Sequence, residues 1–262
     1  MKNLIVILSF GVLLFSCNKT DNKNVSESPK SDSLVTKNEF AVDSIHVQDS
    51  LQVAKTLTLS FEKQVLVFPS ITDKTILDSI YKPANITSED YSKKALMDIL
   101  EKLKKESLKK DGSNDYLPEF NQTWDEVSGM KLISRQNDVL TLQYSGSGYS
   151  GGAHGYYFES YKTFDLKNNK VISQTDIFKN PTDANWNKIL QNHFDEPEQK
   201  EMLLVDKIEL NNNFYFDKDK ITFVYNQYEI TAYAAGVVYI TLNFKDIKDQ
   251  LKPEFVSQFN IK

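Results

Sequence analysis

The chain is 262 residues long, 40% hydrophobic and 26% charged, which is enough to bury a sizeable core in one or two domains. Its net charge of −5 argues against a nucleic-acid surface or a polybasic membrane footprint, and a single arginine, Arg135, nearly excludes bidentate clamps on phosphate. Tyr 13 and Phe 16 against Trp 2 favour strands.

Residues 1–16, MKNLIVILSFGVLLFS, place Lys2 before a short apolar run, the pattern of an export signal too short to span a bilayer comfortably. Cys17, the single cysteine, follows Leu14-Phe15-Ser16 in a string that resembles a bacterial lipobox. The expectation is cleavage before Cys17 and lipidation of its sulfur, which leaves no thiol for disulfide or nucleophilic chemistry. Asn18 at the next position fits an outer-membrane destination. Residues 17–38 are polar and rich in Ser, Asn, Lys and Asp, a composition for a flexible tether.

The folded part is expected to run over 39–262, with a possible division into 39–165 and 166–262. Residues 39–68 alternate like strand up to Pro69, and a short helix covers 75–81 before Pro83. Thr87 and Asp90 have capping-box spacing for a longer helix ending at Gly112, with Tyr91, Ala95, Ile99 and Leu103 recurring every fourth residue. Strands follow around 126–134, 139–144, 156–166 and 171–175. Helix is expected over 183–194 and 197–204, then strands over 213–216, 221–228 and 236–244. A closing helix over 246–259 is interrupted by Pro253. This order predicts an α+β fold with a largely antiparallel sheet and helices packed on one side.

Residues 144–155, YSGSGYSGGAHG, hold five of the nine glycines and His154, one of three histidines. They are expected to form a tight loop on a β scaffold. The GxGxxG within them leads into strand-like rather than helical sequence, so it does not suit a dinucleotide. His154 has no metal-ligand spacing to His46 or His193, and neither a metal nor another cofactor is expected. Its ring either braces the loop, touches a ligand, or acts as a base oriented by Glu229 or Asp165. A second cluster, Asn226-Gln227-Tyr228-Glu229-Ile230 with Tyr233-Ala234-Ala235-Gly236, sets amides, phenols and a carboxylate in one turn. Tyr144, Tyr149, His154, Gln227, Tyr228, Glu229 and Tyr233 are therefore the candidate ligand-binding residues, suited to a sugar or a protein partner. The alternative is a sheet whose tyrosines simply cover a core.

YSGGAHG at 149–155, YKTFDL at 161–166, Asp176-Ile177-Phe178, Phe214-Tyr215-Phe216, NQYEI at 226–230 and YAAG at 233–236 together resemble the RsiV/PdaC-type extracytoplasmic domain over residues 40–250. Ala232 stands where relatives often have proline. That family includes the domain of a lysozyme-sensing anti-sigma factor and an accessory domain of a peptidoglycan deacetylase. The resemblance implies an accessory domain without the deacetylase's catalytic residues, binding envelope glycan or a protein such as lysozyme; with the lipobox-like Cys17, the expectation is a lipid-anchored envelope protein. The rival expectation is a hydrolase of envelope carbohydrate acting through His154 and a nearby carboxylate.

Overall fold

A computed structural model of the chain describes residues 40–109 and 117–261. The expected signal at 1–16, the tether at 17–38, lipidation at Cys17 and the helix stop at Gly112 lie outside the described residues. The described residues form one compact unit with an α+β architecture. Its strands are largely antiparallel, as expected, and they divide between two sheets.

The first sheet has six strands in chain order. β1 (Asp43–Ala54) and β2 (Leu57–Val67) form an antiparallel hairpin where a single long strand region was expected. β2 then pairs with β3 (Gln122–Gln136) in parallel, followed antiparallel by β4 (Val139–Tyr149), β5 (Tyr156–Asp165) and the short β6 (Lys170–Ile172). The one parallel pair requires a crossover. α1 (Lys74–Tyr81) and α2 (Lys93–Ser107) supply it, burying Ile76, Ile80, Leu96 and Leu100 against Val65, Val67, Met130, Leu140 and Leu142.

The N-cap of α2 is Ser92, whose hydroxyl accepts from Ala95 N at 3.3 Å, and not Thr87 as the capping-box spacing suggested. Asp90 accepts from Ser92 N at 2.7 Å, and Ser88 Oγ donates to Asp90 O at 2.7 Å. These local side-chain bonds hold residues 88–92 in a turn and delay the helix.

The second sheet is β7 (Phe214–Phe216), β8 (Lys220–Tyr225) and β9 (Val238–Asn243), antiparallel in that order. Around it lie α3 (Gln174–Ile177), α4 (Asn185–Asn192), α5 (Pro197–Lys200) and α6 (Pro253–Phe259). Trp186 and Leu190 of α4 pack with Phe223, Ile240 and Phe255 in a second hydrophobic cluster. Pro253 starts α6 rather than interrupting it, because the first helical position needs no N–H.

A polar seam joins the two sheets. β6 covers the edge of β5 only at Thr163, Phe164 and Asp165. Beyond that, side-chain amides from the second sheet take the place of a strand. Asn226 Oδ1 accepts from Glu159 N at 2.8 Å, Asn213 Oδ1 from Tyr161 N at 2.7 Å, and Gln227 Oε1 from Tyr157 N at 3.2 Å. Asn213 and Asn226 Nδ2 both donate to Glu159 O, at 2.8 and 3.0 Å. The backbone groups of an otherwise bare edge are thereby satisfied.

Candidate functional site

Residues 144–149 are the end of β4 and not a loop, a correction to the reading of the glycine-rich stretch. Gly146 and Gly148 are buried in the strand opposite Phe158 and Tyr156. A Cβ on Gly146 would stand 2.5 Å from Phe158 Cε1, and one on Gly148 only 2.6 Å from Asp125 O and 2.8 Å from Tyr156 Cε1. The glycines are there so that aromatic rings can lie flat across the strand. The turn itself is confined to residues 150–155, where Gly151 and Gly152 take φ of 91° and 95°.

That turn and residues 226–236 meet at one rim. Tyr149 Oη donates to Gly152 O at 3.0 Å and braces the turn. His154 Nδ1 lies 2.8 Å from Gly155 O; a carbonyl only accepts, so Nδ1 carries the proton. Nε2, on the other side of the ring, faces Tyr228 Oη at 3.5 Å. The imidazole stacks on Tyr233 with centroids 3.9 Å apart, and Tyr233 lies 5.9 Å from Tyr228.

Tyr228 is 60% exposed, and its backbone is left-handed with φ 66°. For a bulky side chain that conformation is uncommon and costs energy. The turn holds it there: Tyr228 N donates to Thr231 O at 3.1 Å, Glu229 N to Asn226 O at 3.0 Å, and Asn226 N to Glu229 Oε2 at 3.1 Å. Met202 and Leu204 are also exposed, and their backbones bond those of Ala232 and Ile230 in the same segment.

Six of the seven candidate residues thus come together. Tyr149, His154, Tyr228 and Tyr233 form the rim, while Gln227 is committed to the β5 edge and Glu229 to its own turn. Tyr144 is elsewhere: it is 2% exposed in the core of the first sheet, donating to Ile80 O at 2.7 Å. Asp165 closes the far end of β5, roughly 30 Å from His154 at about 3.3 Å per residue. Asn168 N, Asn168 Nδ2 and Gln258 Nε2 hold it there. Among the described residues, neither ring nitrogen of His154 bonds a carboxylate.

The sequence reading passed over Glu159. This carboxylate is 8% exposed and accepts from three phenols: Tyr157 on Oε1, and Tyr161 and Tyr239 on Oε2, each of the latter at 2.7 Å. Gln143 Nε2 donates to Tyr161 Oη at 2.8 Å. The Tyr-x-Glu-x-Tyr spacing of 157–161 does mark one face of a strand. The third phenol comes from β9, which no spacing reveals. Among the described residues, no group of three or more His, Cys, Asp or Glu is arranged to hold a metal, and no helix is long and apolar enough to cross a membrane.

Residues 175–245 match the family model described as a protein of unknown function, DUF3298. No curated protein matches the chain. A DUF3298 family member from Bacteroides fragilis NCTC 9343 is similar in structure, with TM-score 0.65 and 22% identity over 84% of this chain and 97% of that one. A DUF3298 family protein from Pseudomonas aeruginosa PAO1 has TM-score 0.57 and 15% identity over 82% of this chain and 96% of that one. At these identities the likeness is one of fold. The matched segment contains Gln227, Tyr228, Glu229 and Tyr233, whereas Tyr149 and His154 come from the preceding sheet.

Proposed function

We propose that the chain is a lipid-anchored cell-envelope protein of the RsiV/PdaC type, a non-enzymatic module that binds an envelope or secreted partner through the rim of Tyr149, His154, Tyr228 and Tyr233. Cys17 is the anchor in this reading, and residues 18–38 carry the module away from the membrane. The observation that carries the binding role is Tyr228. A left-handed tyrosine holding its ring in solvent, beside a stacked imidazole and phenol, adds little to the core and is costly to keep. The exposed ring of Tyr228, with exposed Met202 and Leu204 bonded through their backbones to the same segment, suits a protein-docking surface. The phenol and imidazole polar tips also suit a sugar, which makes glycan the second reading.

The test is capture of lysozyme and of purified peptidoglycan by the wild type and by a Tyr228→Ala/Tyr233→Ala double variant. The expected result is capture of one of them, weakened at least about tenfold in the variant, as for aromatic hot spots. The variant's melting temperature should stay within a few degrees of wild type. No capture of either probe, or equal capture by wild type and variant, overturns the proposal.

A further inference from the structure

On the helix-bearing face of the first sheet, the registers Lys63↔Ser128, Ser128↔Gly146 and Gly146↔Phe158 set four residues in a line across four strands. The neighbouring line runs Phe61, Glu126, Gly148, Tyr156. With no side chain at Gly146 or Gly148, the rings of Phe158 and Tyr156 fold inward over the sheet. Between them and the turn at residues 83–85 lies a cavity of about 90 Å³, lined among others by Lys63, Ser128, Asn85 and Gly146. At about 30 Å³ per water, it has room for a small polar head group only.

Lys63 is the unexplained group in this cavity. It is 7% exposed, and among the described residues its ammonium, with three N–H donors, makes one hydrogen bond, to Ser128 Oγ at 3.2 Å. Among the described residues, Nζ forms no salt bridge. Glu126 lies two residues from Ser128 on the same face, but its Oε2 accepts from Ser107 Oγ at 3.1 Å. A buried charge left unpaired is among the more expensive arrangements a fold can keep. Burial pushes the amine below its ordinary value, with Glu126 pulling the other way.

We propose that Lys63 anchors a binding site for a monoanionic carboxylate, which sits on Nζ and Ser128 Oγ and lays its apolar remainder along Tyr156 and Phe158. These two rings are 51% and 36% exposed, so a tail leaving the small cavity meets apolar surface at once. The ammonium can balance one negative charge on a ligand, while the Glu126 carboxylate, which lines the same cavity, repels further negative charge and disfavours a phosphate dianion; no guanidinium fork is at hand. The site shares no residue with the rim and does not rest on the function proposed for it.

The experiment titrates the full chain, ¹⁵N-labelled, with butyrate, with neutral butyramide of the same shape, and with inorganic phosphate. Amide shifts of Ser128, Gly146 and Gly148 are followed in the wild type and in Lys63→Met. Butyrate should move these amides saturably, butyramide and phosphate should not, and Lys63→Met should weaken butyrate binding at least about tenfold. Methionine removes the unpaired charge at similar length, so the variant should also melt a few degrees higher without ligand. Any of these outcomes overturns the proposal: no saturable shift with butyrate, equal shifts with butyramide, tighter binding of phosphate, or undiminished butyrate binding by Lys63→Met. A variant melting at or below wild type also overturns it, because Lys63 is then a structural partner of Ser128.

Discussion

Glu159 shows how much a single residue depends on its partners. Burial pushes its carboxyl up, yet the hydrogen bonds from Tyr157, Tyr161 and Tyr239, with the Gln143 amide close by, together outweigh burial and hold it below its usual value of 4.5. A depressed folded value contributes stability above pH 4.5 that is lost as pH falls through it. The phenols respond in the opposite sense. Burial, then the Glu159 hydrogen bond, pushes Tyr157 up to about 12, so its contribution is present below its ordinary value of 10 and lost as pH rises toward 12. Glu159→Gln replaces a carboxylate that accepts three O–H groups with an amide that accepts at one atom only. It should cost about 2–3 kcal/mol at neutral pH, the scale of lost charge-assisted bonds. Urea unfolding of both forms should show that penalty shrinking as pH falls below about 4.5.

At the scale of one element, β4 explains why glycine-rich sequence misled. Glycine has low strand propensity, and five in twelve residues point to a loop. Gly146 and Gly148 are nevertheless strand residues, because aromatic rings from β5 fill the space their missing side chains leave. Two substitutions separate the causes. A Cβ on Gly146 meets the ring of half-exposed Phe158, which can swing away, whereas one on Gly148 meets the carbonyl of Asp125, fixed in the β3 ladder. Gly148→Ala should therefore cost about 2–3 kcal/mol and Gly146→Ala at most about 1, measured by chemical denaturation. Equal costs would mean that the ring, not the backbone, sets the limit at both positions.

For the molecule as a whole, the informative feature is that two hydrophobic clusters are joined by a polar seam. Asn213 and Asn226 act there as a surrogate strand on the edge of β5. Each bond contributes modestly, but a buried backbone group left without its partner costs about 1–3 kcal/mol. The two tryptophans report on the two sheets, Trp124 from β3 and Trp186 from the second cluster. Followed through each tryptophan in turn, denaturation of the wild type should give coincident transitions. Asn213→Ala/Asn226→Ala should separate them, because the clusters then keep their own packing and lose their coupling. Transitions that stay coincident in the variant would place the coupling elsewhere.

Alternating apolar residues and turn signals were enough to indicate the α+β class, most strands, α1 and α4, and two segments rich in glycine, amide and phenol. These depend on local backbone preference and on which face of an element is apolar, and both are written in short stretches of chain. The sequence also carried the Tyr-x-Glu-x-Tyr periodicity of 157–161, though its weight was not evident. Only the tertiary structure decided that the strands form two sheets, that Asn226 and Gln227 cap β5, and that Tyr239 completes the shell of Glu159. It likewise moved Tyr144 into the core, brought His154 onto Tyr233, and buried Lys63 with its ammonium on the Ser128 hydroxyl. Each of these depends on groups tens of residues apart whose meeting is set by strand register and sheet-to-sheet packing, and no local pattern encodes that.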